Sequence, residues 1–159
     1  MELEQELYLA ARDGDTARIR ELLKQGANLH SRDPTQGQTA FTLMHAAASG
    51  GAEELIRFIH SIGVNVNCTD ESGATPLFYA VDKGNDDAVD ALLLLGADVN
   101  ASRQDGSTPL IAAVQGKRAS TVKLLCDRGA DTCLANEESG LTALHAAASG
   151  NNSEIIKLL

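Results

Sequence analysis

The sequence predicts an all-α solenoid, a row of about five stacked helix–turn–helix units with the last one cut short. Three observations carry this. The hexapeptide HAAASG is spelled twice, as His45–Gly50 and as His145–Gly150. The glycines in "HSIGVNVN", "LLLGADVN" and "CDRGADTC" are Gly63, Gly96 and Gly129, each 33 positions after the last. The segments leading to them, "EELIRFIHSIG", "DDAVDALLLLG" and "ASTVKLLCDRG", place apolar residues at i, i+3 and i+4, giving one apolar stripe per helix. No unit of this size buries such a stripe alone, so neighbouring units must cover it.

Composition agrees. A chain of 159 residues that is 43% hydrophobic fits one domain with a core. Aromatics make up 3% and tryptophan is absent, so that core is built from Leu, Ile, Val and Ala. The formal charge of −9 disfavours nucleic acid as a partner, because phosphate backbones demand clustered Lys and Arg, and it disfavours anionic membrane surfaces. It argues only weakly for a basic partner, since negative charge also serves solubility. Cys68, Cys126 and Cys133 form no CxxC pair, their number is odd, and "MELEQELYLAARDG" is no signal peptide; the expected compartment is reducing, cytoplasmic or nuclear. The longest apolar run, "ALLLLGA", stops at Gly96, short of a membrane span.

The units are justified in chain order. The first, within "LYLAARDGDTARIRELLKQGANLH", carries a charged face with Arg12, Asp13, Asp15, Arg18, Arg20 and Glu21, which suits a solvent-facing cap. Gly26 precedes Gly63 by 37 positions, so four extra residues fall in the turn-rich "SRDPTQGQTAF" and lengthen that connection around Gln36, Gln38 and Phe41. Phe41 either folds back onto the core or stays exposed for contact, with packing favoured in so aromatic-poor a chain. In the third and fourth units Thr75 and Thr108 are placed to cap the first helix, and Pro76 and Pro109 take its first position, where a missing N–H costs nothing. Leu77, Leu110 and Leu144 follow at equivalent core positions, and Ala46–Ala48 and Ala146–Ala148 let neighbouring helices approach closely. Asp86 and Asp87 lie in a first turn, favourable to the helix dipole. Gly63, Gly96 and Gly129 end second helices where a positive φ is expected. The chain stops inside "EIIKLL", an apolar second helix without a polar cap, which predicts a frayed end and a longer native chain.

The first helices begin with a shared pattern: "GATPLFYAVDKG" at 73–84, "GSTPLIAAVQGK" at 106–117, "GLTALHAAASGN" at 140–151 and the more divergent "TLMHAAASGG" at 42–51. A TPLHxAA pattern recurring every 33 residues resembles the ankyrin repeat family. The resemblance covers nearly the whole chain and implies repeats at roughly 2–33, 34–69, 70–102, 103–135 and 136–159, with β-turn fingers between them. It further implies a protein–protein interaction module, a scaffold or adaptor, whose partner lies on a concave surface of finger tips and first helices. Carried over position by position, the contact residues are Glu71, Ser72 and Ala74; Arg103, Gln104, Asp105 and Ser107; and Glu137, Ser139 and Leu141. The first helices add Asp82, Lys83, Gln115, Ser49 and Ser149, and the capping repeat adds Arg12 and Asp13. The expected partner is another protein, with no nucleic acid and no membrane, bound by a monomeric module. An alternative has the stack as the regulatory or targeting domain of a larger enzyme whose catalytic part follows residue 159.

Residues capable of chemistry read as structural. His45 and His145 fall where Phe78 and Ile111 stand in other repeats, so a hydrogen bond between repeats is expected rather than catalysis. His30 and His60 have no ligand spacing to Cys or carboxylates, and no phosphate loop is present, so neither metal nor cofactor is expected. Cys126 lies on an apolar face and belongs in the core; Cys68 and Cys133 sit in loops with nothing to activate them. Asn100, after Asp98 and with Leu92 upstream, resembles the ankyrin sites of asparaginyl hydroxylases, while Asn67 is a poorer match because Asn65 replaces the acidic residue. The competing expectation is that Asn100 ties its loop together.

Overall fold

The computed structural model describes residues 2–29 and 42–159, so His30 and the lengthened turn with Gln36, Gln38 and Phe41 lie outside the described residues. Among the described residues there are ten helices in five pairs: α1 Glu2–Arg12 and α2 Thr16–Lys24, α3 Leu43–Gly50 and α4 Glu53–Ser61, α5 Pro76–Lys83 and α6 Asp86–Leu94, α7 Pro109–Gln115 and α8 Ala119–Asp127, α9 Ala143–Ser149 and α10 Ser153–Leu158. One isolated antiparallel bridge, Ala135 to Thr142, closes a finger. The first helices stack in an inner row, α1 on α3 on α5 on α7 on α9, and α4, α6, α8 and α10 stack in an outer row behind them.

The inner row packs closely because its buried faces are small. Ala46, Ala47, Ala80 and Ala113 are buried, and Met44, Leu77 and Leu110 are buried with them. Leu55, Ile59, Leu92 and Leu125 supply the stripe of the outer row and are fully buried. Burying one such side chain is worth about 1.5–3 kcal/mol, so the two rows together supply the core that no repeat has alone. Leu144 departs from the expected pattern. It occupies the position of Leu77 and Leu110 but is 49% exposed, where those two are buried. Cys126 also departs, being half-buried at the edge of the core rather than inside it.

The caps follow the sequence. The hydroxyl oxygens of Thr75 and Thr108 accept from the N–H groups of Phe78 and Ile111 at 3.3 and 3.2 Å. Gly63, Gly96 and Gly129 have φ of +99°, +91° and +86°. Between the two helices of each repeat a second left-handed residue recurs: Gly14, Gly51 and Gly84, then Lys117 at φ +56° and Asn151 at +54°. Gly50 is needed for another reason, since a Cβ there would overlap the carbonyl oxygen of Arg12 in the preceding repeat.

Candidate protein-binding surface

The finger tips are built by side chains that bond their own backbone. Asp70 Oδ1 accepts from the N–H groups of Ser72 and Ala74 at 2.8 and 2.9 Å and from the Ser72 hydroxyl at 2.7 Å. Its Oδ2 accepts from the Tyr79 hydroxyl at 2.7 Å. Burial works to raise the Asp70 pKa, but the bonds from Ser72, Tyr79 and Ala74 outweigh it and hold the carboxyl below its usual value. Tyr79 is pushed up to about 12 by burial first and by its bond to Asp70 second. In the last finger Asn136 plays the same part, its Oδ1 accepting from the N–H groups of Glu138 and Ser139 at 3.1 and 2.9 Å.

Neighbouring tips are joined into a ladder. Gln104 N–H donates to Ser72 O at 2.9 Å, and Glu137 N–H donates to Asp105 O at 3.2 Å. The Gln104 side chain adds a bond from Nε2 to Glu71 O at 2.7 Å. Gly106, at φ +77°, lets the last finger approach, since a Cβ there would overlap the Glu137 backbone nitrogen. Deeper ties run repeat to repeat. Asn85 Nδ2 donates to Ser49 O at 3.0 Å, and Arg118 Nη2 reaches Asp82 O at 2.6 Å from the equivalent place one repeat on.

The residues singled out in the sequence divide into three groups. Arg12, Asp13, Glu71, Asp82, Lys83, Gln104, Gln115, Glu137, Ser139, Leu141 and Ser149 are exposed. Ser49, Ser72, Arg103 and Asp105 are half-buried. Ala74 and Ser107 are 3% and 9% exposed, a correction to their expected place on the contact surface. Both serve as ties instead: the Ala74 carbonyl meets His45 Nε2 at 3.0 Å, and the Ser107 hydroxyl accepts from Asn136 Nδ2 at 2.9 Å.

The exposed fingers and inner helices surround a pocket of about 440 Å³ between the third, fourth and fifth repeats. Phe78, Ala112 and Gly116 form its small or apolar walls, and Arg103, Asp82 and Asn136 add polar groups at its sides. The Arg103 guanidinium lies over the Phe78 ring, 5.1 Å from its centre. Sequence reasoning did not anticipate this pocket. Its signal lies at equivalent positions of successive repeats, where Tyr79 gives way to Ala112, Lys83 to Gly116 and Asp70 to Arg103.

Among the described residues, His45 and Cys68 are held in structural contacts. His45 Nδ1 accepts from Thr42 N–H at 3.1 Å, so the proton sits on Nε2 and points to Ala74 O. Burial lowers the His45 pKa, and burial also pushes the Cys68 thiol up. Cys68 Sγ lies 3.9 Å from His45 Nδ1, but with a neutral thiol beside a neutral ring this is packing and not a nucleophile with its base. Among the described residues no group of His, Cys, Asp and Glu could hold a metal ion, and no helix is long and apolar enough to cross a membrane. Asn100 Oδ1 accepts from Asp131 N–H at 2.8 Å, and Asn67 makes the same tie one repeat earlier to Asp98 N–H at 2.8 Å. The two asparagines are alike as loop ties.

Helix pairs on a 33-residue period, capped by Thr-Pro and joined through β-turn fingers, are matched by the family model for ankyrin repeats (3 copies) over residues 7–103 and 93–159. The chain belongs to the ankyrin repeat family. It is similar to an ankyrin repeat-containing protein of Schizosaccharomyces pombe, 32% identical over 72 residues, which are 45% of this chain and 33% of that protein. It is also similar to protein phosphatase 1 regulatory subunit 27 of Homo sapiens, 35% identical over 70 residues, and to its Mus musculus counterpart at 31%; each match covers 44% of this chain and 43% of the relative. The aligned stretches therefore span less than half of these relatives. Ankyrin stacks are protein-binding modules, and this one is an all-α member.

Proposed function

We propose that this ankyrin stack is a non-catalytic docking module that holds another protein across its concave face, using the finger tips and the inner helices. The observation that carries the reading is the ladder of fingers bonded tip to tip beside a polar pocket. A surface held by its own hydrogen bonds loses little freedom on binding, so more of the contact energy appears as affinity. The surface residues that bind the partner are Glu71, Lys83, Arg103, Gln104 and Gln115. A photo-crosslinking amino acid at Glu71, Lys83 or Gln115 should trap one and the same protein from a cell extract. The same group at Arg57 or Lys123, on the outer helices α4 and α8, should not. Equal trapping from both rows would reject the concave assignment.

A second reading makes the partner an enzyme that the stack regulates or targets. What favours it is the name of two relatives, regulatory subunits of a protein phosphatase. Phosphatase activity among the proteins trapped from the concave face would support this reading, and its absence would leave plain scaffolding.

A further inference from the structure

We propose that the pocket between the third and fifth repeats receives one aspartate or glutamate side chain from an otherwise neutral or basic segment of the partner protein, with the Arg103 guanidinium as its clamp. This inference rests on the docking reading above and names the chemistry of what is docked.

The argument begins with a broken rule. At the base of the third and fifth fingers stand Asp70 and Asn136, whose side-chain oxygens hold the turn. The fourth finger has Arg103 there, whose side chain can accept no hydrogen bond. The turn is rescued by Asp105, which accepts from Ser107 N–H at 2.9 Å. Arg103 is therefore released from holding the finger, and its side chain swings over Phe78 into the pocket. Room for it exists because Ala112 stands where the third repeat has Tyr79, and Gly116 where it has Lys83.

In that place the guanidinium is left with unmet demand. Arg103 Nε is buried and has no hydrogen-bond partner among the described residues, and the Phe78 ring covers one face of the guanidinium. Leaving a charged donor dry and unpaired is costly, and a carboxylate meeting it fork to fork relieves the cost. The pocket's own carboxylates do not do this. Asp105 is spent on Ser107, and although the Arg103 charge helps hold it ionised, no ion pair forms; Asp82 pairs with Lys83 Nζ at 3.4 Å. The second guanidinium, that of Arg118, is spent on the Asp82 carbonyl.

The same charges limit the ligand. Asp82 and Asp105 line the pocket and the whole chain carries −9, so a dianionic phosphate or a run of acidic residues is repelled. One carboxylate, flanked by neutral or basic residues that suit the negative surroundings, is favoured. A volume of about 440 Å³ admits a side chain with its local backbone and excludes a folded element.

The test is selection of random dodecapeptides displayed on phage against the whole chain, followed by anisotropy titrations with one selected peptide. The expected pool carries an Asp or Glu with Lys or Arg near it. Arg103→Gln should raise the Kd about tenfold or more, and Arg103→Lys by less, because a lysine keeps the charge but loses the fork. Replacing the peptide's acidic residue by its amide should weaken binding to the parent chain and have no further effect on Arg103→Gln. Phosphoserine in its place should bind more weakly than the carboxylate. A pool without acidic residues, no retained peptide, tighter phosphoserine, or an unchanged Kd for Arg103→Gln would each overturn the proposal. A peptide whose binding is lost on Gln115→Ala but not on Arg103→Gln would remove the clamp and leave the docking face standing. Circular dichroism of each variant confirms the fold.

Discussion

His45 Nε2 lies 3.0 Å from the carbonyl oxygen of Ala74, a bond that runs from the second repeat to the third through a fully buried ring. His145, in an identical hexapeptide, keeps its bond to Thr142 within its own repeat at 3.3 Å but is exposed. Replacing His45 by leucine leaves the half-buried Thr42 N–H without its acceptor and takes from the Ala74 carbonyl one of two bonds, that from Asp70 N–H at 3.0 Å remaining, a loss of about 1–3 kcal/mol. His145→Leu exposes only groups that water can reach and should cost less than about 1 kcal/mol. Urea unfolding followed by circular dichroism separates the two; equal losses would refute the asymmetry.

The same ring makes the stack acid-sensitive. Burial lowers the His45 pKa from its ordinary 6.5, so below that value the unfolded chain binds a proton that the folded one resists. The stabilisation is complete above pH 6.5, is lost as the pH falls from there through the lowered value, and changes no further below it. The slope is limited to about 1.4 kcal/mol per pH unit for one group. Between pH 6.5 and 5 the parent chain's melting temperature should fall, and that of His45→Gln should fall less. Parallel curves would show that another group titrates.

Gly50 and Gly150 should part company in the same way. An alanine methyl at 50 meets the Arg12 carbonyl, whereas at 150 its nearest contact is the carbonyl of Ala146 at 3.3 Å. Gly50→Ala should destabilise by about 1–3 kcal/mol, and Gly150→Ala should stay within about 1 kcal/mol of the parent. The urea midpoints decide it.

Lys117 is a residue to improve. It holds φ +56° where three other repeats use glycine, and its side chain is exposed. Left-handed backbone costs a non-glycine residue about 1–2 kcal/mol, partly offset in the glycine variant by the freer unfolded chain. Lys117→Gly should stabilise by up to about 1 kcal/mol, seen as a higher urea midpoint; a lower one would show that the lysine is held by contacts worth more than the strain.

The repeat, its period and its caps were legible because they are local. Thr75 and Thr108 bond within three residues, and the positive φ of Gly63, Gly96 and Gly129 answers to the end of their own helices. The contact surface was legible only in outline. Ala74 and Ser107 look like variable finger residues in sequence, yet each is buried as an acceptor for the repeat beside it. Gln104 fell among the contact candidates, and it is also a rung between fingers.

By itself the sequence determined the unit: a capped helix, a left-handed link, an amphipathic helix and a glycine, repeated until the apolar stripes find cover. The tertiary structure decided what each copy of the unit does. HAAASG holds a buried His45 in one copy and an exposed His145 in the other, and the Asp70 position becomes, at Arg103, a guanidinium whose Nε has no hydrogen-bond partner among the described residues. The reason is physical. Hydrogen bonds within a turn depend on residues a few positions away, which repeat, whereas burial and pairing depend on neighbours about one repeat away, which differ along the stack.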